Sequence, residues 1–137
     1  MSEENKALQR RFYEELFNRG NLAILDELCA PNFIDHNAFP GQAPGIEGLK
    51  QSFAAMRAAF PDMRVTVEQM LAEGDKVAAH IALRATHRGE FMGIAPTGKE
   101  VTARVSDIIR FAGGKAVERW GVEDMSGLFP PPGSPPA

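Results

Sequence analysis

Residues 100–124 read EVTARVSDIIRFAGGKAVERWGVED, and this stretch decides the fold class. Apolar side chains fall on alternate positions from Val101 to Phe111, and again at Ala116, Trp120 and Val122. Alternation of this kind is typical of a strand with one buried face. A Gly-Gly dipeptide separates the two halves, as in a tight hairpin. The stretch therefore predicts two antiparallel strands.

The residues before this stretch repeat the pattern. Residues 64–73 and 76–87 each carry apolar side chains at alternate positions, which we call the apolar phase of the strand. Gly74-Asp75 between them predicts a second hairpin. Residues 88–99 contain three glycines and a proline, so we expect a longer connection there. The second half of the chain is predicted to form a sheet of at least four strands.

The first half has helical periodicity instead. Residues 3–18 place leucines and phenylalanines on one stripe, which predicts a helix that ends at Gly20. Asn21 is positioned to cap a second, short helix, which Pro31 would close.

A third helix is predicted over residues 45–58, between a loop at 38–46 and the breaker Pro61-Asp62. Helices followed by strands predict an α+β fold, in which a curved antiparallel sheet wraps around the helices.

Length and composition indicate one globular domain. The chain has 137 residues, of which 44% are hydrophobic and 24% are charged. We expect this domain to span residues 1–129, because the proline-rich end at 130–137 is typical of a flexible tail.

Charge and hydropathy exclude several classes of partner. The net charge is −3 and there is no basic run, which disfavours nucleic acid as a partner. No apolar run approaches the roughly 18 residues of a membrane span, and the charged N-terminus does not resemble a secretory signal. We therefore expect a cytoplasmic protein without a membrane partner. The single cysteine, Cys29, excludes an internal disulfide.

Polar side chains interrupt the apolar phase of every predicted strand. They are Gln69, His87, Asp107, Glu118 and Asp124. Burial of carboxylates near aromatic side chains indicates either internal ion pairing or a pocket. Desolvation in such a pocket would raise the pKa of a carboxyl group toward the range of a general base.

Each of these residues also has a structural interpretation. Asp107 would serve as well as a buried partner for an arginine or a backbone N–H group. His87 fits a structural or rim position, and Glu118 fits a solvated sheet edge. Trp120 would then be a core residue. Tyr13, the single tyrosine, would either pack with its hydroxyl group at a rim or donate a hydrogen bond into a pocket.

A second polar group, Phe33-Ile34-Asp35-His36-Asn37, precedes the predicted loop. It would either line the mouth of a cavity or anchor the loop through its own backbone. The sequence lacks the His-x-x-x-His and His-Glu-x-x-His motifs, so we expect no zinc site. It also lacks the Gly-x-Ser-x-Gly motif of serine hydrolases and a phosphate-binding loop.

Several motifs resemble those of the SnoaL-like ester and polyketide cyclases, over about residues 5–129. The matching segments are Phe33-x-x-His36-Asn37, Phe60-Pro61-Asp62, Thr86-His87-x-Gly89-Glu90-Phe91-x-Gly93-Ile94-x-Pro96-Thr97-Gly98-Lys99, Arg110-Phe111, Gly114-Lys115 and Glu118-x-Trp120-x-x-x-Asp124. The sequence departs from the family at Ala95-Pro96, where two prolines are usual, and at Phe129, which leads into the proline-rich end.

The resemblance implies an NTF2-like α+β cone that encloses one apolar pocket. Characterised members close a ring by intramolecular aldol condensation without metal or cofactor, and an aspartate at the position of Asp124 serves as acid and base. We expect Asp124, His36 and Asp107 to be catalytic. Candidate contacts to the substrate, a small apolar molecule that bears a carbonyl group, are Tyr13, Phe33, Phe60, Gln69, His87, Glu118 and Trp120.

Three functional hypotheses follow. The first is a cofactor-free cyclase, isomerase or lyase. The second is an enzyme of the ketosteroid-isomerase or epoxide-hydrolase kind, in which Tyr13 and Asp107 would matter more. The third is a non-catalytic ligand-binding or scaffold module, for which the distinguishing sign is pairing of the pocket carboxylates to arginines. The exposed sheet face expected of this fold also predicts a homodimer or a higher homo-oligomer.

Overall fold

The apolar stripe at the N-terminus folds as helix α1 (Ser2–Phe12), which continues directly into one π-helical segment (Tyr13–Asn18). Gly20 follows with a φ of 69°, a left-handed conformation that ends the helix as predicted. Two further helices are α2 (Ile24–Leu28) and α3 (Gly45–Ala59). None of the helices in the described part of the chain is long and apolar enough to cross a membrane.

Five strands form one sheet in the order β1-β5-β4-β3-β2. Their bounds are β1 (Cys29–Asp35), β2 (Arg64–Glu73), β3 (Lys76–Thr86), β4 (Glu100–Ala112) and β5 (Lys115–Asp124). Strands β2 to β5 are antiparallel neighbours, and β1 runs parallel to β5 at the edge. Both predicted hairpins, at Gly74-Asp75 and Gly113-Gly114, are present.

The structure, a computed structural model, describes residues 2–38, 41–91 and 93–124. The predicted tail at 130–137, and the domain end at 129, lie outside these residues. Within them, two local predictions are wrong. The second helix was expected to be closed by Pro31, whereas α2 ends at Leu28 and Pro31 lies in β1, an edge strand on which proline is tolerated. Asn21 contacts Glu15 through its side chain, whereas helix α2 has Ala23 at its N-cap.

A β-bulge reverses the side-chain phase inside β5. Phe111 of β4 pairs with Ala116, and the preceding residue of β4 pairs with Glu118, so Val117 is an extra residue. Because side chains alternate along a strand, one extra residue moves all later side chains to the opposite face. Ala116 is buried against the helices, whereas the even-numbered residues after Val117 lie on the outer face.

The prediction that Trp120, Val122 and Asp124 point inward is therefore wrong. Val122 is 74% exposed and Asp124 is also exposed. A second bulge, at Glu68 in β2, has the same effect on Gln69 and Leu71, which were expected on the buried side. Gln69 is exposed, and Leu71 is 71% exposed.

The inner face of the sheet packs against α1, the π-helical segment and α3. Aromatic side chains make much of this contact, and Phe17 meets Phe53 edge to face with 5.0 Å between ring centroids. Cys29 is buried in the same core, and burial raises the pKa of its thiol to about 12, so it is an inert packing residue. The core surrounds the cavity described next.

Candidate active site

A cavity of about 80 Å³ lies between α1, α3 and the inner face of β1, β3, β4 and β5. A single buried water needs roughly 10–15 Å³, so the cavity has room for a small organic molecule. Its walls are mostly apolar, and five aromatic side chains contribute to them: Phe12, Phe17, Phe33, Phe53 and Phe60. Phe33 and Phe60, which are predicted from the sequence as substrate contacts, both line the cavity.

Ionisable side chains line one part of this apolar cavity, around the guanidinium group of Arg119. Its Nε atom donates to Asp107 Oδ1 at 2.8 Å and its Nη1 atom donates to Asp35 Oδ1 at 3.1 Å. Its Nη2 atom lies 2.6 Å from Asp107 Oδ1 and 3.0 Å from Glu123 Oε1. Three carboxylates from three strands thus share one arginine, and we call these four residues the Arg119 cluster.

Burial by itself would lower the pKa of Arg119, but the carboxylates of Asp107 and Asp35 outweigh it and raise the pKa above the ordinary value. The guanidinium group is therefore positively charged at every accessible pH. Asp107, which is 4% exposed, accepts hydrogen bonds from the side chains of two residues, Tyr13 and Arg119.

A buried chain of hydrogen bonds supports Asp107 from the helical side. The hydroxyl group of Tyr13 donates to Asp107 Oδ2 at 3.0 Å, and Gln9 Nε2 donates to the Tyr13 oxygen at 3.0 Å. Burial, followed by the charge of Asp107, raises the pKa of Tyr13 well above its usual value. Tyr13 is absent from the cavity wall, so it acts on the cavity through Asp107.

Asn37 links the cluster to the end of β1. Its backbone N–H donates to Asp35 Oδ1 at 3.0 Å, and its side-chain Oδ1 accepts the Gly121 N–H at 2.8 Å. A methyl group at Gly121 would overlap the Arg119 guanidinium group and reach 3.0 Å from Asp107 Oδ1. Glycine at this inward position therefore leaves the space that Arg119 occupies.

The outer face of the sheet holds a second group of predicted site residues, away from the cavity. The His36 ring stacks on Trp120 with 5.0 Å between centroids, and His36 Nε2 lies 2.8 Å from Glu118 Oε2. Hydrogen bonds from His36 and Arg110 lower the pKa of Glu118. The expectation that Glu118 points to the interior is wrong, for the same bulge that turns Trp120 outward.

His87 is fully buried, as its phase suggested, but it lies behind the cavity wall. Its ring stacks on Phe60 at 5.3 Å between centroids, and Nδ1 lies 3.2 Å from Thr97 Oγ1. Its backbone pairs with Lys99 and Gly98. These contacts match the structural interpretation, in which His87 holds the connection between β3 and β4 against Phe60.

Three of the four members of the Arg119 cluster were not predicted as site residues from the sequence. Unbroken alternation would place Arg119 and Glu123 on the outer face, and the bulge at Val117 places them on the inner face instead. Asp35 was noted only as part of a polar segment. Among residues 2–38, 41–91 and 93–124, no set of three His, Cys, Asp or Glu side chains is arranged to hold a metal ion.

A model of the SnoaL-like polyketide cyclase family matches residues 7–130. The chain belongs to this family. Among solved structures, AclR of Streptomyces galilaeus is provisionally described as a hydroxylase and is 32% identical to this chain. The two structures superpose with a TM-score of 0.82, over 93% of this chain and 83% of AclR. No functionally curated protein has a significant match to the sequence.

Two further structures are provisionally described as polyketide cyclases. IdmH of Streptomyces antibioticus is 34% identical, with a TM-score of 0.78 over 90% of this chain and 94% of IdmH. A SnoaL-like protein of Jannaschia sp. CCS1 is 27% identical, with a TM-score of 0.80 over 96% of this chain and 95% of that protein. The family and the α+β fold predicted from the sequence are thus confirmed.

Proposed function

We propose that this SnoaL-like chain is a cyclase or isomerase that performs acid/base chemistry on an apolar, carbonyl-bearing small molecule. The observation that carries the proposal is an apolar cavity with several carboxylates in its wall. Such a cavity excludes water from the body of a ligand and brings one end of it beside groups able to accept a proton. Family membership supports the same reaction class.

Glu123 is our candidate for the general base. Asp107 accepts hydrogen bonds on both oxygens, and Asp35 accepts from both Arg119 and the backbone of Asn37, whereas the contact between Glu123 and Arg119 uses only Oε1. Each hydrogen bond to a carboxylate stabilises its charged form and lowers its basicity. Glu123, with a side chain that is 25% exposed, is the least constrained carboxylate in the cavity.

The reaction would proceed through an enolate. Glu123 would take a proton from a carbon beside a carbonyl group, and the resulting enolate would attack a second carbonyl carbon of the same molecule. The proton held by Glu123 would then pass to the new alkoxide, so that the ring closes with no net change in protons. The amide groups of Asn37 and Gln42 line the cavity and bond through their oxygens, which leaves their NH₂ groups to stabilise the enolate oxygen.

The neighbouring residues Glu123 and Asp124 provide a matched test. We expect Glu123→Gln to slow proton–deuterium exchange beside the carbonyl of an aryl β-keto ester by roughly 100-fold or more, the usual contribution of a general base. Asp124→Asn, on the outer face, is expected to keep the wild-type rate. The measurement is NMR in D₂O, corrected for the rate without protein. The reverse outcome would assign the base to Asp124, as the family motif suggests, and would overturn our choice of Glu123.

A ligand-binding module is the second candidate, and one observation favours it. The carboxylates in the cavity are paired to Arg119, which is the sign expected of a non-catalytic protein of this fold. In that case the same aryl keto ester would bind, but neither the wild-type protein nor the variants would accelerate the exchange. A ketosteroid-isomerase-like role for Tyr13 is disfavoured, since Tyr13 does not reach the cavity wall.

A further inference from the structure

The charges in the cavity wall are unbalanced. The wall holds three acidic side chains, those of Asp35, Asp107 and Glu123, and the basic side chain of Arg119. No other lysine or arginine among the described residues lines the cavity. Residues 1, 39–40, 92 and 125–137, which the structure does not describe, contain no ionisable side chain. The acidic side chains of the described wall therefore outnumber the basic one by two, which corresponds to a formal charge of −2.

All three nitrogen atoms of the Arg119 guanidinium group are paired with carboxylates of the protein itself. Its Nε, Nη1 and Nη2 atoms all contact carboxylate oxygens of the cluster, between 2.6 and 3.3 Å. Its side chain is 13% exposed. An anionic ligand would have to displace one of these carboxylates before it could reach the guanidinium group, and the displaced charge would remain in the cavity.

The rest of the wall strengthens the effect of the excess charge. Most of the lining is aliphatic or aromatic, and interactions between charges are stronger beside such surfaces than in bulk water. Asp35 and Glu123 both line the cavity, so a ligand within it can reach their oxygens. The cavity, and not the acidic residues alone, therefore selects what binds.

We propose that the ligand of this cavity has an apolar body and carries a positively charged nitrogen, such as a protonated amine, which the carboxylates of Asp35 and Glu123 attract. This inference deepens the proposed function, because it rests on the same cavity and adds a cationic group to the carbonyl-bearing substrate. Carboxylate- or phosphate-bearing molecules are correspondingly excluded by the two uncompensated charges.

Three naphthalene derivatives of similar size test the proposal. They are the cation 2-(2-naphthyl)ethylammonium, the neutral alcohol 2-(2-naphthyl)ethanol and the carboxylate anion of 2-naphthylacetic acid, called the acetate below. Calorimetric titration of the full chain at pH 7 should show the ammonium compound binding about tenfold or more tightly than the alcohol, and the acetate binding most weakly. The preference should shrink in both Glu123→Gln and Asp35→Asn. Glu47→Gln, an exposed change on α3, should leave it intact.

Two outcomes would overturn the proposal: equal or tighter binding of the acetate or the alcohol, and absence of ammonium binding at millimolar concentration. Persistence of an undiminished preference in both variants would also overturn the assignment to Asp35 and Glu123. The proposed function is judged separately by deuterium exchange on the neutral keto ester. Exchange without a cation preference would remove only the inference made here, and a cation preference without exchange would remove only the catalytic role.

Discussion

Tyr13 shows how a residue outside the cavity wall can set the state of a residue within it. Its hydroxyl group donates to Asp107 and accepts from Gln9, and the side chain is 2% exposed. Donation requires the neutral phenol, and burial next to a carboxylate raises its pKa. Tyr13 is also the only tyrosine in the chain, so its ionisation can be measured without interference.

We predict that tyrosinate absorbance at 295 nm appears only when the protein unfolds in alkali. The folded pKa is raised above the unfolded value of about 10, so the contribution of Tyr13 to stability is full below that pH and is lost as the pH rises further. The control is the chain in guanidinium chloride, which should titrate near pH 10. Ionisation near pH 10 with an unchanged circular dichroism spectrum would contradict the prediction.

The sequence predicted the members of the site unevenly. Asp107 could be found because it interrupts an apolar phase in β4, a strand whose alternation is intact from Val105 to Phe111. Arg119 and Glu123 could not be found in this way, because a bulge leaves no mark in a pattern of alternating residue types. Arginine side chains are also usually exposed, so the sequence predicts a surface position for Arg119. Its three carboxylate partners are apparent only in the structure.

At the scale of elements, the β4–β5 hairpin fixes the register on which the Arg119 cluster depends. Its turn residues Gly113 and Gly114 have φ values of 59° and 79°, and a side chain added to either would meet no atom within 4 Å. Two left-handed residues in a two-residue turn correspond to a type I′ hairpin, whose first position accepts asparagine and whose second favours glycine. Backbone conformation alone therefore governs substitutions here.

We predict that Gly114→Ala lowers the free energy of unfolding by about 1–2 kcal/mol, the cost of a left-handed residue with a side chain. Gly113→Asn should change it by much less, since asparagine tolerates this conformation. Urea denaturation followed by circular dichroism measures both variants. Equal losses would show that the turn is not of the I′ type.

Most helices and strands were predictable from the sequence, whereas strand β1 was not. Strong alternation and turn dipeptides identified β2 to β5, and helical spacing identified α1 and α3. Strand β1 was missed because its parallel pairing with β5 is a long-range contact, and its own residues, with Pro31 and Asn32 exposed, carry no clear period.

For the whole molecule, the outer face of the sheet is the surface that stands out. A row of apolar side chains crosses four strands there, since Trp120 pairs with Ile108, Ile108 with Ala78, and Ala78 with Leu71. Ile108 is 42% exposed and Leu71 is 71% exposed. Outer faces of antiparallel sheets are usually polar, so an apolar row of this kind is typical of an interface.

We propose that a second copy of the chain covers this row. Charges of both signs flank it, with Lys76, Arg110 and Glu118 on one side and Arg104 and Asp124 on the other. A two-fold axis through the row would bring positive and negative groups of the two copies together.

Sedimentation equilibrium should therefore give twice the chain mass of 14.9 kDa. The double change Leu71→Lys and Ile108→Lys should give the monomer, because it places four charges in one two-fold interface. Ala55→Lys, on the exposed side of α3, should keep the dimer. A wild-type chain that stays monomeric at high micromolar concentration would contradict the proposal.

The bulge at Val117 has a consequence for how this cavity can change in evolution. Loss of that single codon would place Glu118 directly after Ala116, which restores unbroken alternation in β5 and leaves Arg119, Gly121 and Glu123 on the inner face. The loss of a codon beyond the bulge, between Glu118 and Asp124, would instead turn all later side chains of β5 to the opposite face. Descendants of one gene could therefore gain or lose the codon for Val117 and keep one ligand chemistry, whereas a change of length elsewhere in β5 would alter it, with the fold and the other four strands unchanged.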